Sequence, residues 1–548
     1  MPDGASVAPV IISTDKTQLT QFSGGKVAYP VYLTLGNIPR AIRRKPSQNA
    51  CILIGYLPVS KDVGENLTQR QRSARIQQLF HDSMRLILEP LIAAGEKGME
   101  VTGGDGKVRL VFPILACYVA DYPEQCLVTC AKYGTCPRCM SGSLGNREPG
   151  PPRTQQDTLA TILNALESTT SEAQFQQFCK DNLVSGGVHR PFWEGFPLCD
   201  IHLSITPDVL HQLYQGIIKH MVTWCSSLMD DEELDHRVRT LPPCFGLRHF
   251  KGGWSRLSQI SGKERKDMAC ILLGCLVGKA PNPVIACYRA LLDFIYLAQY
   301  PTHDDDSLDY MEDALNLFHK HKHILIDLGV REHLDIPKFH SMVHYVESIK
   351  NFGTTDNYNT EMFERFHIDM AKEGWKATNF RNEVPQMTRW LTRQEKVSIF
   401  QRYIQDCNMK KDRNKAIHPS STSALSGTRL VISQRPTVPS QTIFNIQISH
   451  NAPSFSLHLR QFLNSLLPSN ETISRAQLPN AQLPFDKVDV WHSFKFPLDT
   501  LGNDVDGQES LDAVKAKPSS EGDARFDTVI VAHSEGAETT GLKGMICF

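Results

Sequence analysis

Short apolar runs broken by turn residues open the chain, and they give way after about residue 150 to stretches with three- and four-residue periodicity. Pro9–Thr14 (PVIIST), Val27–Leu35 (VAYPVYLTL) and Cys51–Val59 (CILIGYLPV) are β-branched and aromatic, and turn-rich pieces containing Gly24-Gly25 and Asn37-Ile38-Pro39 separate them, so they predict strands. Ile76, Leu79, Phe80, Met84, Ile87, Leu88 and Leu91 recur at helical steps. A strand near Glu100–Thr102, the turn Gly103-Gly104-Asp105-Gly106 and an apolar strand over Val108–Ala120 follow. The order is strand, strand, strand, helix, strand.

From 150 to 350 the pattern predicts helix after helix. Thr206-Pro207 reads as an N-cap with a first-turn proline ahead of the stripe Leu210, Leu213, Ile217, Met221 and Trp224. Ser261 and Glu264 form a capping box before Met268–Val277. Further helices are expected at 283–299, 307–328, 338–350, 360–374 and 386–406. The polar run after Cys407 reads as a linker. Beyond it, Arg429–Ser433, Thr442–Ser449, Val488–Phe496 and Phe526–Ala532 look strand-like, interrupted by an acidic, flexible stretch at 503–525. The fold class expected is α/β: the strand order is that of a ribonuclease-H-like mixed sheet core, though other α/β folds produce it too, followed by a large all-helical stretch and a small C-terminal β-rich region.

Composition narrows the classes. The hydrophobic share of 41% over 548 residues excludes wholesale disorder. No apolar run approaches the roughly 18 residues of a membrane span, and no secretory signal is visible. Fifteen cysteines are too few for a disulfide scaffold and read as reduced thiols. A net charge of −1 gives no whole-chain attraction for nucleic acid, so any DNA contact must be local.

The candidate chemistry begins with Asp15 after PVIIST and Asp121 after PILACYVA, both expected at strand ends. Two such acids on neighbouring strands can share a pair of divalent cations about 4 Å apart, the arrangement that activates a nucleophile on a phosphodiester. Hard oxygen ligands suit Mg²⁺. A third carboxylate is expected from the helix Asn359–Lys372, where Glu361 and Glu364 lie one turn apart and both point away from the Met362, Phe366, Met370 stripe. Cys136 and Cys139 form a knuckle-type C-x-x-C. A tetrahedral zinc site could be built from Cys126, Cys130, Cys136 and Cys139, or from the 136/139 pair with Cys199 and His202. Asp208 and His211 fall in a first helical turn, where they serve the helix or support the metal acids. Arg40, Arg43, Arg44 and Lys45 make a basic cluster that reads as a solvated loop or a phosphate contact.

The strings STDKTQLTQFSGGKVAYPVYLTLGNIPR, VADYPEQC with CPRC, PFWEGFPLCDIHLSITPDVLHQLYQG, and IPKFHSMVHY with NYNTEMFERFHIDMAKEGWKATN resemble fungal Plavaka transposases, relatives of the CACTA (En/Spm) DNA transposons. The resemblance implies a nuclear DDE transposase: metal-dependent cleavage at transposon ends, then strand transfer to target DNA by a homo-oligomer, with Mg²⁺ or Mn²⁺ as cofactor. By that resemblance Asp15 and Asp121 are the first two acids and Glu364 the third, with Glu361 as the alternative. Asp208 and His211 match the D-x-x-H motif, and Cys136 and Cys139 the C-P-x-C after the second acid. The expected organisation is 1–149, the first part of the catalytic core with the cysteine knuckle; 150–355, the helical insertion; 356–406, the helices carrying the third acid; 407–440, a linker; and 441–548, a truncated β-rich region. Family members extend further at both ends, so the reading is a transposase core, either active or a truncated, inactive copy, and the rival is a non-catalytic relic that binds DNA or protein.

Overall fold

In the computed structural model the chain forms two compact units, one covering Met1–Lys411 and the other most of the chain from Asp412 on. The structure describes residues 2, 4–20, 25–59, 63–244, 246–415, 432–433, 436–450, 452–467 and 471–497, with the strand segments 511–517, 525–526, 530–532 and 545–547. For Ser47, 405–415 and everything from 495 onward, only the backbone is described.

The first unit is built on a mixed five-stranded sheet. Its strands are β1 (Ser6–Thr14), β2 (Pro30–Leu35), β3 (Cys51–Tyr56), β4 (Met99–Thr102) and β5 (Val108–Val119), in the spatial order β3-β2-β1-β5-β4. β1 runs antiparallel to β2 and parallel to β5, and β4 and β5 form a hairpin. The hairpin turns at Gly106, whose φ of 75° lies in the left-handed region that glycine enters freely. β1 is central and covered on both faces, which explains its unbroken apolar run.

Alternation along β1 then assigns the faces. Val10 and Ile12 pack with Phe80, Met84 and Leu88 of helix α1 (Gln69–Lys97). A capping box between Thr68 and Gln71 starts that helix. Ile11 faces the other way, joining Tyr32, Cys117 and Val119 against Tyr358, Met362, Phe363 and Phe366. Each fully buried phenylalanine there contributes about 2 kcal/mol, so the segment after Tyr358 is fixed on the sheet.

Helix α2 (Tyr122–Val128) follows β5 directly. The region 150–350 is helical as expected. It includes the π-helical α3 (Val209–Ile218), α4 (Gly262–Leu276), α5 (Asn282–Leu297) and α6 (Asp305–His321), which share one large apolar core. The Ser261–Glu264 capping box is present at α4. The cap of α3 differs from expectation: Asp208, not Thr206, accepts the free backbone N–H groups. Helix α7 (Thr360–Phe366), capped by Asn359, continues as a π-helical turn over His367–Lys372. Helix α8 (Glu383–Lys415) runs into the segment read as a linker.

The second unit departs further from the sequence pattern. Thr442–Ser449 contains a helix, Ile443–Ser449, because the Thr442 side chain accepts from Asn445 N and caps it; the alternating pattern there does not make a strand. Lys487–Val490, Ser493–Pro497, Arg525–Phe526 and Ile530–Ala532 are strands. Leu511–Lys517, inside the stretch read as flexible, is also a strand, paired with Ser493–Pro497. The expected strand at 429–431 and the acidic residues 503–510 and 518–524 lie outside the described residues, and Ile432–Ser433 are not in a strand.

Candidate functional site

The parallel pairing of β1 with β5 positions the first two acids. Ser13 pairs with Val119, and Asp15 and Asp121 each lie two residues beyond these partners, at the same end of adjacent strands. Asp121 also caps α2, its Oδ1 accepting from Glu124 N at 3.0 Å. Burial, then the nearby charges of Asp121 and Glu364, push the Asp15 carboxyl up to about 7. Burial likewise raises Asp121.

Glu364 reaches this site through a histidine. His211 Nε2 donates to Glu364 Oε1 at 3.1 Å, and its Nδ1 donates to Asp208 Oδ2 at 2.6 Å. A ring that donates from both nitrogens is an imidazolium. Burial pulls against that charge, but Asp208 and Glu364 outweigh it and carry His211 up to about 11. Asp208 is almost fully buried and saturated: it accepts from Leu210 N and His211 N, each at 3.1 Å, from the His211 ring, and from Thr360 Oγ1 at 2.7 Å. It therefore holds His211 and α7 in place.

Glu361 faces elsewhere. It is buried, contrary to the expectation that it points away from the packed stripe, and its carboxylate meets Lys266 of α4 at 2.7 Å. The structure thus brings Asp15, Asp121, Glu364, His211 and Asp208 together and directs Glu361 to a separate ion pair. Glu124 is a participant that the sequence reading missed. Thr14 Oγ1 donates to its Oε1 at 2.6 Å and the Tyr29 hydroxyl donates to the same oxygen. Burial lifts Glu124 to about 7 against those hydrogen bonds. Its signal was the spacing Asp121-Tyr-Pro-Glu124, an acid in the first turn beside a strand-end acid.

The cysteine pair belongs to a different group from those expected. Cys136, Cys139, His340 and His344 are all buried, and their ligand atoms lie within 4.8 Å of one another. Cys136 Sγ is 3.3 Å from His344 Nε2, and Cys139 Sγ is 3.2 Å from His340 Nε2. Zn–S bonds of about 2.3 Å and Zn–N bonds of about 2.0 Å produce ligand separations of this size in a closed tetrahedral site. Burial keeps His344 neutral, the form that coordinates. Cys126, Cys130, Cys199 and His202 are not in this group: Cys130 lies 3.6 Å from His81, Cys199 3.9 Å from Ser204, and His202 bonds Thr158 and the Pro137 carbonyl. The HSMVH spacing was the available signal for the two histidines. Among the described residues the quartet is the group of metal-ligating atoms drawn this close; the three acids stand wider apart.

Paired parallel strands ending in acids, met by a third acid from a helix, define an α/β protein with a carboxylate site at one end of its sheet. Residues 1–225 match the Plavaka transposase family model, which supports the resemblance read from the sequence. No curated protein matches the chain. Among the described residues no helix is long and apolar enough to cross a membrane.

Proposed function

We propose that this chain is the catalytic core of a DDE-type DNA transposase, acting in the nucleus as an oligomer on transposon ends and target DNA. The observation that carries the reading is the placement of Asp15 and Asp121 at matching positions on parallel strands, with Glu364 turned toward them by His211. A ribonuclease-H-like core is supported by the order β3-β2-β1-β5, with the acids on β1 and β5. The isolated parallel bridge between Tyr118 and Ile205 adds a trace of a further strand beside β5, while the antiparallel β4 is an addition at that edge.

The residues suit divalent magnesium or manganese: hard carboxylate oxygens, raised proton affinities and a surplus of negative charge facing one imidazolium. Asp15, Asp121 and Glu364 would hold the cations, whose chemistry is to activate a water or 3′-hydroxyl and stabilise the leaving oxygen. His211 and Asp208 act as positioning residues for Glu364, and Glu124 ties the end of β1 to the start of α2. The Cys/His quartet is read as a structural zinc site.

The test is nicking and strand transfer by the purified chain on DNA carrying the element's terminal repeats, with Mg²⁺ or Mn²⁺. Asp121→Asn is expected to lower the rate by about 10³-fold, equivalent to about 4 kcal/mol. Wild-type activity in that variant would remove the assignment, and an inert wild-type chain that still binds the DNA would favour the relic.

A further inference from the structure

Lys16 follows Asp15 directly, just beyond the end of β1. Its backbone N–H donates to the Asp15 carboxylate, while its side chain is exposed. The ammonium has a defined seat: Nζ lies over the Tyr29 ring, 4.8 Å from the centroid. That ring is itself fixed. It is 3% exposed, it stacks on Phe80 of α1 with centroids 5.9 Å apart, and its hydroxyl donates to Glu124. An aromatic face attracts a cation without neutralising it, so Tyr29 orients the charge of Lys16 and leaves it free to meet an anion.

The other cations around the acids are committed. His211 is bonded at both ring nitrogens, to Asp208 and Glu364. Lys338, whose charge opposes the rise at Asp121, is half-buried and donates to the Gln215 carbonyl at 3.4 Å. Lys26 precedes the strand Val27–Ala28 that pairs with Thr17–Gln18, and Glu383 holds it at 2.8 Å. Lys16 is in charge range of Glu124, yet among the described residues it forms no ion pair. A cluster of carboxylates repels phosphate, and bound divalent cations offset that at the scissile group. Each DNA strand carries a further phosphate about every 3.4 Å of axis. That step is close to the roughly 3.8 Å between consecutive Cα atoms, so the residue beside Asp15 falls next to the neighbouring phosphate.

We propose that Lys16 binds a DNA backbone phosphate next to the scissile one, with the Tyr29 face holding its ammonium ready. The proposal rests on the reading of Asp15, Asp121 and Glu364 as the DNA-cleaving acids. It supplies what a chain of net charge −1 needs, a local cation at the place of reaction. Lys16 is a binding residue. Its attraction to a phosphate that does not react is equal in ground and transition states, so it acts on KM and leaves kcat.

The test is nicking of terminal-repeat DNA by the full chain in Mg²⁺, with KM, kcat and the salt dependence of kcat/KM measured. Lys16→Met should raise KM several-fold and leave kcat within about twofold. It should also reduce the slope of log(kcat/KM) against log[KCl] by about 0.9, the signature of one lost phosphate contact. Lys16→Arg should restore the slope, and Lys26→Met, whose ammonium is already paired, should keep it. An unchanged slope in Lys16→Met, or a fall in kcat at constant slope, overturns the proposal, while Asp121→Asn judges the acids separately. If the wild-type chain does not nick, the reading of the acids fails, and the salt slope of binding to the same DNA, followed by fluorescence anisotropy, decides for Lys16. A decrease of about 0.9 in Lys16→Met then keeps the phosphate contact, and no decrease removes it.

Discussion

At Asp15 the same burial that fixes the side chain also raises the cost of its charge. Its carboxyl is lifted from 3.8 to about 7, and Glu124 from 4.5 to about 7. A carboxyl whose folded pKa exceeds its unfolded value binds protons more tightly when folded. Its contribution to stability is therefore full below pH 4 and is lost as the pH rises to about 7. A divalent cation reverses that loss by compensating the ionised form, and it must compete with protons below pH 7. Magnesium should accordingly raise the Tm of the chain more at pH 8 than at pH 6, and Asp15→Asn should remove most of the difference. Scanning fluorimetry with and without MgCl₂ at the two pH values checks this; equal increments would mean that the acids do not share a cation.

At the scale of elements, strands and helices in the first unit were legible because their periodicity is set by the two faces of β1 and the stripe of α1. Thr442–Ser449 was misread because alternation over a few residues fits either element, and the cap at Thr442 decides it. The Cys/His quartet shows a different limit. Cys136-x-x-Cys139 is local and readable, but His340 and His344 are joined to it across 201 and 208 residues, a pairing no spacing rule contains. A metal there would staple the loop after α2 to the chain just before Tyr345–Phe352. Purified protein should contain about one zinc per chain. Cys136→Ser and His344→Ala should lose the metal and lower the Tm, while Cys126→Ser and Cys199→Ser retain it. Metal analysis beside thermal unfolding decides between these groups.

Across the whole first unit, the helical region both fills the long interval between the second and third acids and grips the helix carrying the third. Sequence periodicity could not separate Glu361 from Glu364, since both sit off the Met362–Phe366 stripe. Lys266, 95 residues earlier, makes the distinction by claiming Glu361 from α4. Lys266 also lies over the Tyr214 ring of α3, with Nζ 5.4 Å from its centroid, so one cation touches three helices of the site's frame. Burial raises Glu361 and Lys266 opposes that rise. Removing the lysine leaves a buried carboxylate unpaired, which costs on the order of 3 kcal/mol, whereas neutralising both partners costs far less. Lys266→Met should therefore destabilise the chain in urea unfolding, and adding Glu361→Gln should restore most of the loss. Activity should divide the two glutamates independently: Glu361→Gln keeps Mg²⁺-dependent nicking, while Glu364→Gln abolishes it without a matching loss of stability. The reverse pattern would transfer the third acid to Glu361 and make the Lys266 pair part of the chemistry.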